Sequence, residues 1–213
     1  MTKKIVNYLV IAVIGVAAAF TSCDDPVEEI SKESGFSNPK EFLANPAVSN
    51  AIKATGMNIH NGNNPPILDG TYSAEGEIIN ASGIFEAFVG SPDEREFILS
   101  GQALLGQNLG KLNFHEKHEG VVLWGKGAYI TGNGENFTIY IEIKQNGIEF
   151  ELPDDVSVNV VFLVSGNRSS NGNLTAKWMR IITDITSINE EYDSVEFEEV
   201  GSWYISEGNW GNL

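Results

Sequence analysis

His60, His115 and His118 are the only histidines in the chain, and two of them fall together in His115-Glu116-Lys117-His118. A zinc-protease helix needs two histidines four apart on one face. Here the spacing is three, Glu119-Gly120 follows, and strand-like sequence flanks both sides. Residues three apart on a strand point to opposite faces. The stretch therefore reads as solvated residues at a hairpin tip, not as a metal site. Glycoside hydrolysis needs two carboxylates at a set separation, and Glu142, Glu149 and Glu151 sit at outward positions of their strands by alternation. Asp154-Asp155 and the acids from Glu190 to Glu199 offer oxygens to calcium, but without the spacing or glycine of an EF-hand loop. No Gly-x-Ser-x-Gly elbow is present. Gly125-Lys126-Gly127 and Gly132-Asn133-Gly134 lack the strand-to-helix context of a phosphate loop. The expectation is a non-catalytic chain with no metal and no cofactor.

One residue is chemically distinctive by position. Cys23 is the only cysteine, so no internal disulfide can form. It follows a basic start (Lys3, Lys4), an apolar run from Ile5 to Phe20 broken only by Asn7, and the small residues Ala17–Ala19. That plan is a signal peptide, and the run is shorter than the roughly 20 residues a membrane-spanning helix needs. Phe20-Thr21-Ser22-Cys23 resembles the lipobox of bacterial lipoproteins. The resemblance implies cleavage before Cys23 and acylation on it. Family members favour Leu where Phe20 stands and Gly or Ala where Ser22 stands. Each buried methylene of an acyl chain contributes about 0.8 kcal/mol, so the several chains of a lipoprotein anchor stably. The acids Asp24, Asp25, Glu28 and Glu29 resemble the export signals of Bacteroidota surface lipoproteins. They imply lipid anchorage in the outer membrane at the cell surface, with its periplasmic face as the alternative.

The elements behind this leader are those of a small β-domain. The chain has 213 residues and formal charge −16, and loss of Lys3 and Lys4 makes it two units more negative. So anionic a surface argues against nucleic acid and against charge-driven binding to anionic lipid heads. Glycines and turn dipeptides are many and helix-period patterns few. Phe137, Ile139, Ile141 and Ile143 alternate with polar residues between Asn133-Gly134 and Asn146-Gly147, a half-buried strand between hairpin signals. Val158, Val160, Phe162 and Val164 form another inner face, and Val161 and Leu163 predict cover on the other side as well. Further strands are expected at 71–80, 97–105, 111–115, 121–131, 174–185 and 197–205. Gly76, Gly101, Gly125 and Gly127 mark bends or bulges. The fold class is all-β: an antiparallel up-and-down barrel of about eight strands with a short N-terminal helix, a β-sandwich being the alternative.

The domain plan runs as follows: a signal peptide over 1–22, the lipidated cysteine and an acidic tether over 23–37, a helical segment over 38–56 and the barrel over 57–213. Asn38-Pro39-Lys40-Glu41 and Asn45-Pro46 both carry N-cap and N1 signals, and Gly56 is a stop. They predict one helix, or two broken ones, plugging or covering an end of the barrel. The segment 61–66, with two prolines, reads as irregular, as does the end from Glu207 to Leu213, where Trp210 would tuck back against the barrel.

The Asn64-Pro65-Pro66 and Gly70-Thr71-Tyr72 arrangement resembles Bacteroidota lipoproteins with lipocalin-like barrels. That resemblance covers 57–73 and implies a small-molecule binder. The expected ligand is apolar or sugar-like, in or at the mouth of the barrel, with Trp124, Trp178 and Tyr129 as candidate lining residues. The alternative is a structural or protein-interaction lipoprotein with a filled core. Asp193-Ser194-Val195 resembles the O-glycosylation site of exported Bacteroidota proteins, which makes Ser194 a candidate for modification.

Overall fold

Asn38 accepts hydrogen bonds from the N–H groups of Lys40 and Glu41, and Asn45 accepts from those of Ala47 and Val48. With Pro39 and Pro46 at the first helical positions, these caps give two short helices, α1 (Pro39–Ala44) and α2 (Pro46–Thr55). Gly56 ends α2 in the left-handed region at φ 63°. The computed structural model describes residues 36–105, 109–118, 121–146, 156–187 and 199–213. The leader, Cys23, the acidic tether, Asp154-Asp155 and Ser194 lie outside the described residues, as do the acids of 190–198.

Ten strands follow: β1 (Asn63–Asn64), β2 (Gly70–Ser82), β3 (Pro92–Leu105), β4 (Leu109–His118), β5 (Val121–Trp124), β6 (Lys126–Asn133), β7 (Asn136–Asn146), β8 (Val156–Arg168), β9 (Leu174–Ser187) and β10 (Trp203–Asn212). From β2 onward each strand pairs antiparallel with a sequence neighbour. Both β5 and β6 pair with β4, so they are two parts of one wall strand parted at Gly125. Pairing of β10 with β2, Trp203–Asn212 against Ser82–Tyr72, closes the ring. The fold is an all-β, up-and-down barrel, its ring completed by the β10–β2 and β4–β6 pairings. Asn63–Asn64, expected to be irregular, adds a two-residue parallel strand to β6.

Alternation sorts every strand into an inner and an outer face. Inward go Tyr72, Phe97, Phe114, Phe137, Phe162, Trp178 and Trp210, all in one buried cluster. Outward on β6 to β10 go Tyr129, Tyr140, Val161, Leu163, Met179, Ile181 and Ile205, and α1 and α2 lay Phe42, Val48 and Ala51 on them. The helices therefore cover the barrel's outer wall and do not plug an end. An apolar strip across adjacent strands has to be removed from water, and a two-helix cover does this. The two ends are closed by other residues. Leu68, just before β2, joins the inner cluster where β2 begins. Where β2 ends, Phe85 of the 3₁₀ turn Gly83–Phe88 packs on Val156, Val158, Val160, Ile182 and Ile185.

The last strand runs six to seven residues later than expected, and the C-terminal stretch is strand, not coil. Its inward side carries Ser206, Gly208 and Trp210, a mixture that does not read as a strand face in isolation. Three of the four flagged glycines sit at irregularities: Gly101 at the β3–β4 register shift, Gly125 between β5 and β6, and Gly127 in the β6–β7 shift. Gly76 lies in regular pairing and makes room instead, as described below.

Candidate functional site

The inner faces near the Phe85 end carry charge. Asp93 and Arg95 follow Phe97 and Leu99 inward along β3, Glu116 follows Phe114 on β4, and Arg180 follows Trp178 on β9. Arg95 Nε donates to Asp93 Oδ1 at 2.6 Å and its Nη2 to the Tyr204 hydroxyl at 2.6 Å. Arg95 Nη1 and Arg180 Nη2 each donate to one oxygen of Glu116. Asp93 Oδ2 accepts from Trp178 Nε1 and from Ser206 Oγ, both at 2.6 Å. Two acids face two guanidiniums, so the layer is formally neutral. Arg180 also lies over the Phe162 ring, 5.6 Å from its centroid.

Burial pushes the Glu116 carboxyl up, but Arg180 and Arg95 outweigh it and hold it below its ordinary value. Burial also works against the charge on Arg95, yet Tyr204, Glu116 and Asp93 keep its pKa raised. The Tyr204 phenol is pushed up to about 12, by burial above all. Glu116 is thus ionised and Tyr204 protonated at neutral pH.

Beneath it the interior is filled. Phe97 stacks on Trp210 with centroids 4.3 Å apart, and Trp178 meets Trp210 edge-on at 5.8 Å. Phe97, Phe114 and Phe162 lie 5.5–5.6 Å from one another. Tyr72 closes the group at 6.2 Å from Trp210 and donates its hydroxyl to the Leu68 carbonyl. Trp178 and Trp210 have no exposed surface. Trp178 fits because Gly76 lies beside it: a Cβ there would stand 2.3 Å from Cη2 of the indole.

Of the candidate lining residues, Trp178 and Tyr129 lie on opposite faces of the wall. Trp178 is inward and tied to Asp93, whereas Tyr129 is outward beneath α1, its ring 6.2 Å from that of Phe42. Trp124 pairs with His115 at the end of β5, and its side chain lies outside what is described. His115–His118 is not a hairpin tip but the end of β4, and Glu116, expected to be a solvated turn residue, is fully buried. Among the described residues no group of three metal-ligating side chains comes together. Sequence reasoning missed Asp93, Arg95, Glu116 and Arg180. Their signal was a charge at an inward position in phase with Phe97, Phe114 or Trp178.

The outer wall carries a second feature. Residues 56–60, after α2, cross from β8 to β6 and, with the outer faces of β8 to β10, leave a cleft of about 420 Å³ lined by Ser165, Asn167, Thr175, Lys177 and Glu207. Lys177 and Glu207, register partners on β9 and β10, pair at 3.2 Å on the wall side of the cleft. No protein family, curated protein or solved structure matches the chain.

Proposed function

We propose that the protein is a non-catalytic lipoprotein of the Bacteroidota outer membrane, anchored at the cell surface through acylated Cys23. In this reading its barrel is a filled scaffold, and it acts through its outer surface. The observation that carries the reading is the interior. Six packed aromatic rings and a formally neutral charge layer occupy the place where a binder would hold its ligand. A ligand entering there would have to displace rings whose burial contributes several kcal/mol. The signal peptide, the lone cysteine and the acidic tether support the location.

Two measurements test this. Cells fed labelled fatty acid are expected to label the wild-type protein and not Cys23→Ala, which is released from the membrane fraction. Label on Cys23→Ala would remove the anchor from the proposal. The interior is tested with a panel of fatty acids, sterols and aromatic ligands. None is expected to raise the melting temperature saturably or to shift tryptophan emission. A saturable rise that follows ligand concentration would restore the small-molecule binder with an interior site.

A further inference from the structure

We infer that the cleft between residues 56–60 and the β8–β10 wall binds a neutral saccharide of one or two rings. The inference rests on the outer-surface reading above and names the place where that surface acts.

The rim is built in advance. The Asn58 carbonyl accepts from Ser165 Oγ, the His60 N–H donates to Thr138 Oγ1 at 2.8 Å, and the His60 carbonyl accepts from Thr131 Oγ1 at 2.6 Å. Ser165, Thr138 and Thr131 are buried hydroxyls at outward positions of β8, β7 and β6, where the neighbouring outward residues are mostly apolar. Their role is to hold 58–60 against the wall, and a rim held in place has little ordering entropy left to lose on binding.

The chemistry of the lining selects the ligand. Asn58 and His60 stand on one side, Thr175, Lys177 and Glu207 on the other, so donors and acceptors face each other across the cleft. Vicinal hydroxyls, each both donor and acceptor, match such a set. Lys177 and Glu207 pair with each other, at 41% and 49% exposure, and cancel within the site. Burial lowers the pKa of His60, so its ring is neutral at pH 7 and offers one donor and one acceptor. A charge-balanced cleft on a chain of formal charge −16 disfavours anions and leaves no unpaired acid to attract a cation. The floor is strand backbone at Gly166 and Ala176 with Met57 beside it. The volume falls in the roughly 300–1,000 Å³ range of small-molecule sites.

The test is titration of the full-length protein, in a detergent without a sugar head, with maltose, cellobiose and N,N′-diacetylchitobiose, followed by amide and indole NMR shifts. At least one disaccharide is expected to shift Asn58, His60, Thr175 and Lys177 saturably. Glu207→Gln and Asn58→Ala should each weaken it by about tenfold or more with an unchanged melting temperature. The cleft is overturned if no disaccharide gives a saturable shift up to about 20 mM, a limit that still detects millimolar binding. It is also overturned if both variants bind as the wild type does, or if glucuronic acid binds better than every neutral sugar. Shifts at the Trp178 and Trp210 indoles would instead overturn the filled-barrel reading. Silence at both places would overturn the cleft alone.

Discussion

Replacing Glu116 by Ala will destabilise the barrel by about 3–5 kcal/mol, measured by urea unfolding. Glu116 is fully buried and bonded by both Arg95 and Arg180. Its removal leaves Arg95 with Asp93 and the Tyr204 hydroxyl but takes from Arg180 its carboxylate partner. One buried positive charge is then uncompensated, and stranding a buried charge costs far more than the pair contributes. A domain of this size has about 5–15 kcal/mol to lose, so Glu116→Ala on its own is a severe variant. Replacing Glu116, Arg95, Arg180 and Asp93 together by Leu, Met, Met and Asn separates the two effects. All four charges of the layer are then gone, and the amide oxygen of Asp93→Asn still accepts from Trp178 and Ser206. Much of the loss should return, since substitution of a whole buried ion network is often neutral. A loss below about 1 kcal/mol for Glu116→Ala would mean the layer behaves like a solvated surface pair, and the account of the interior would fall.

The same residue sets an acid limb. Its carboxyl titrates below the ordinary value of 4.5 in the folded state, so it contributes stability above that value. The contribution is lost as pH falls through the lower, folded pKa. Stability should therefore be level in this respect above about pH 5 and decline below the ordinary carboxylate value. Glu116→Gln should flatten that limb while lowering stability at pH 7.

Trp178→Ala should cost about 3–5 kcal/mol as a core truncation, and it also leaves Asp93 Oδ2 with Ser206 as its remaining hydrogen-bond donor. The more discriminating form pairs it with Gly76. Gly76→Ala places a methyl 2.3 Å from Cη2 and 2.8 Å from Cζ2 of the indole, which is held by the Asp93 bond and cannot swing away. Overpacking of this kind costs about 1–3 kcal/mol. In a Trp178→Phe background the outer ring atoms are gone, so Gly76→Ala should cost less, and the cycle should show coupling of about 1 kcal/mol. Some cost will remain, because the same methyl would stand 2.8 Å from the Glu207 carbonyl. Strict additivity would show that Gly76 is kept for its backbone and not for the indole.

The local elements of this protein are written in neighbouring residues. Asn38, Pro39, Asn45, Pro46 and Gly56 set both helices and their ends, because caps and stops act within a few residues. The inner faces of β7 and β8 follow from alternation, and Val161 with Leu163 already announced a second covered face. What covers it was not legible. Whether a helix plugs a mouth or lies on a wall depends on which strands bring Tyr140, Leu163, Met179 and Ile205 side by side, and that is set by the register of β7, β8, β9 and β10. The charge layer has the same origin. Asp93, Glu116 and Arg180 are far apart in the chain, and each alone reads as a surface charge. The fold turns all three inward at one level, where together with Arg95 they balance in charge. Trp178 and Tyr129 look alike in sequence, but strand phase sends one inward to Asp93 and the other outward under α1. Periodicity is a property of single segments and can be read in one. Convergence is a property of register between segments, and the tertiary structure alone decided it.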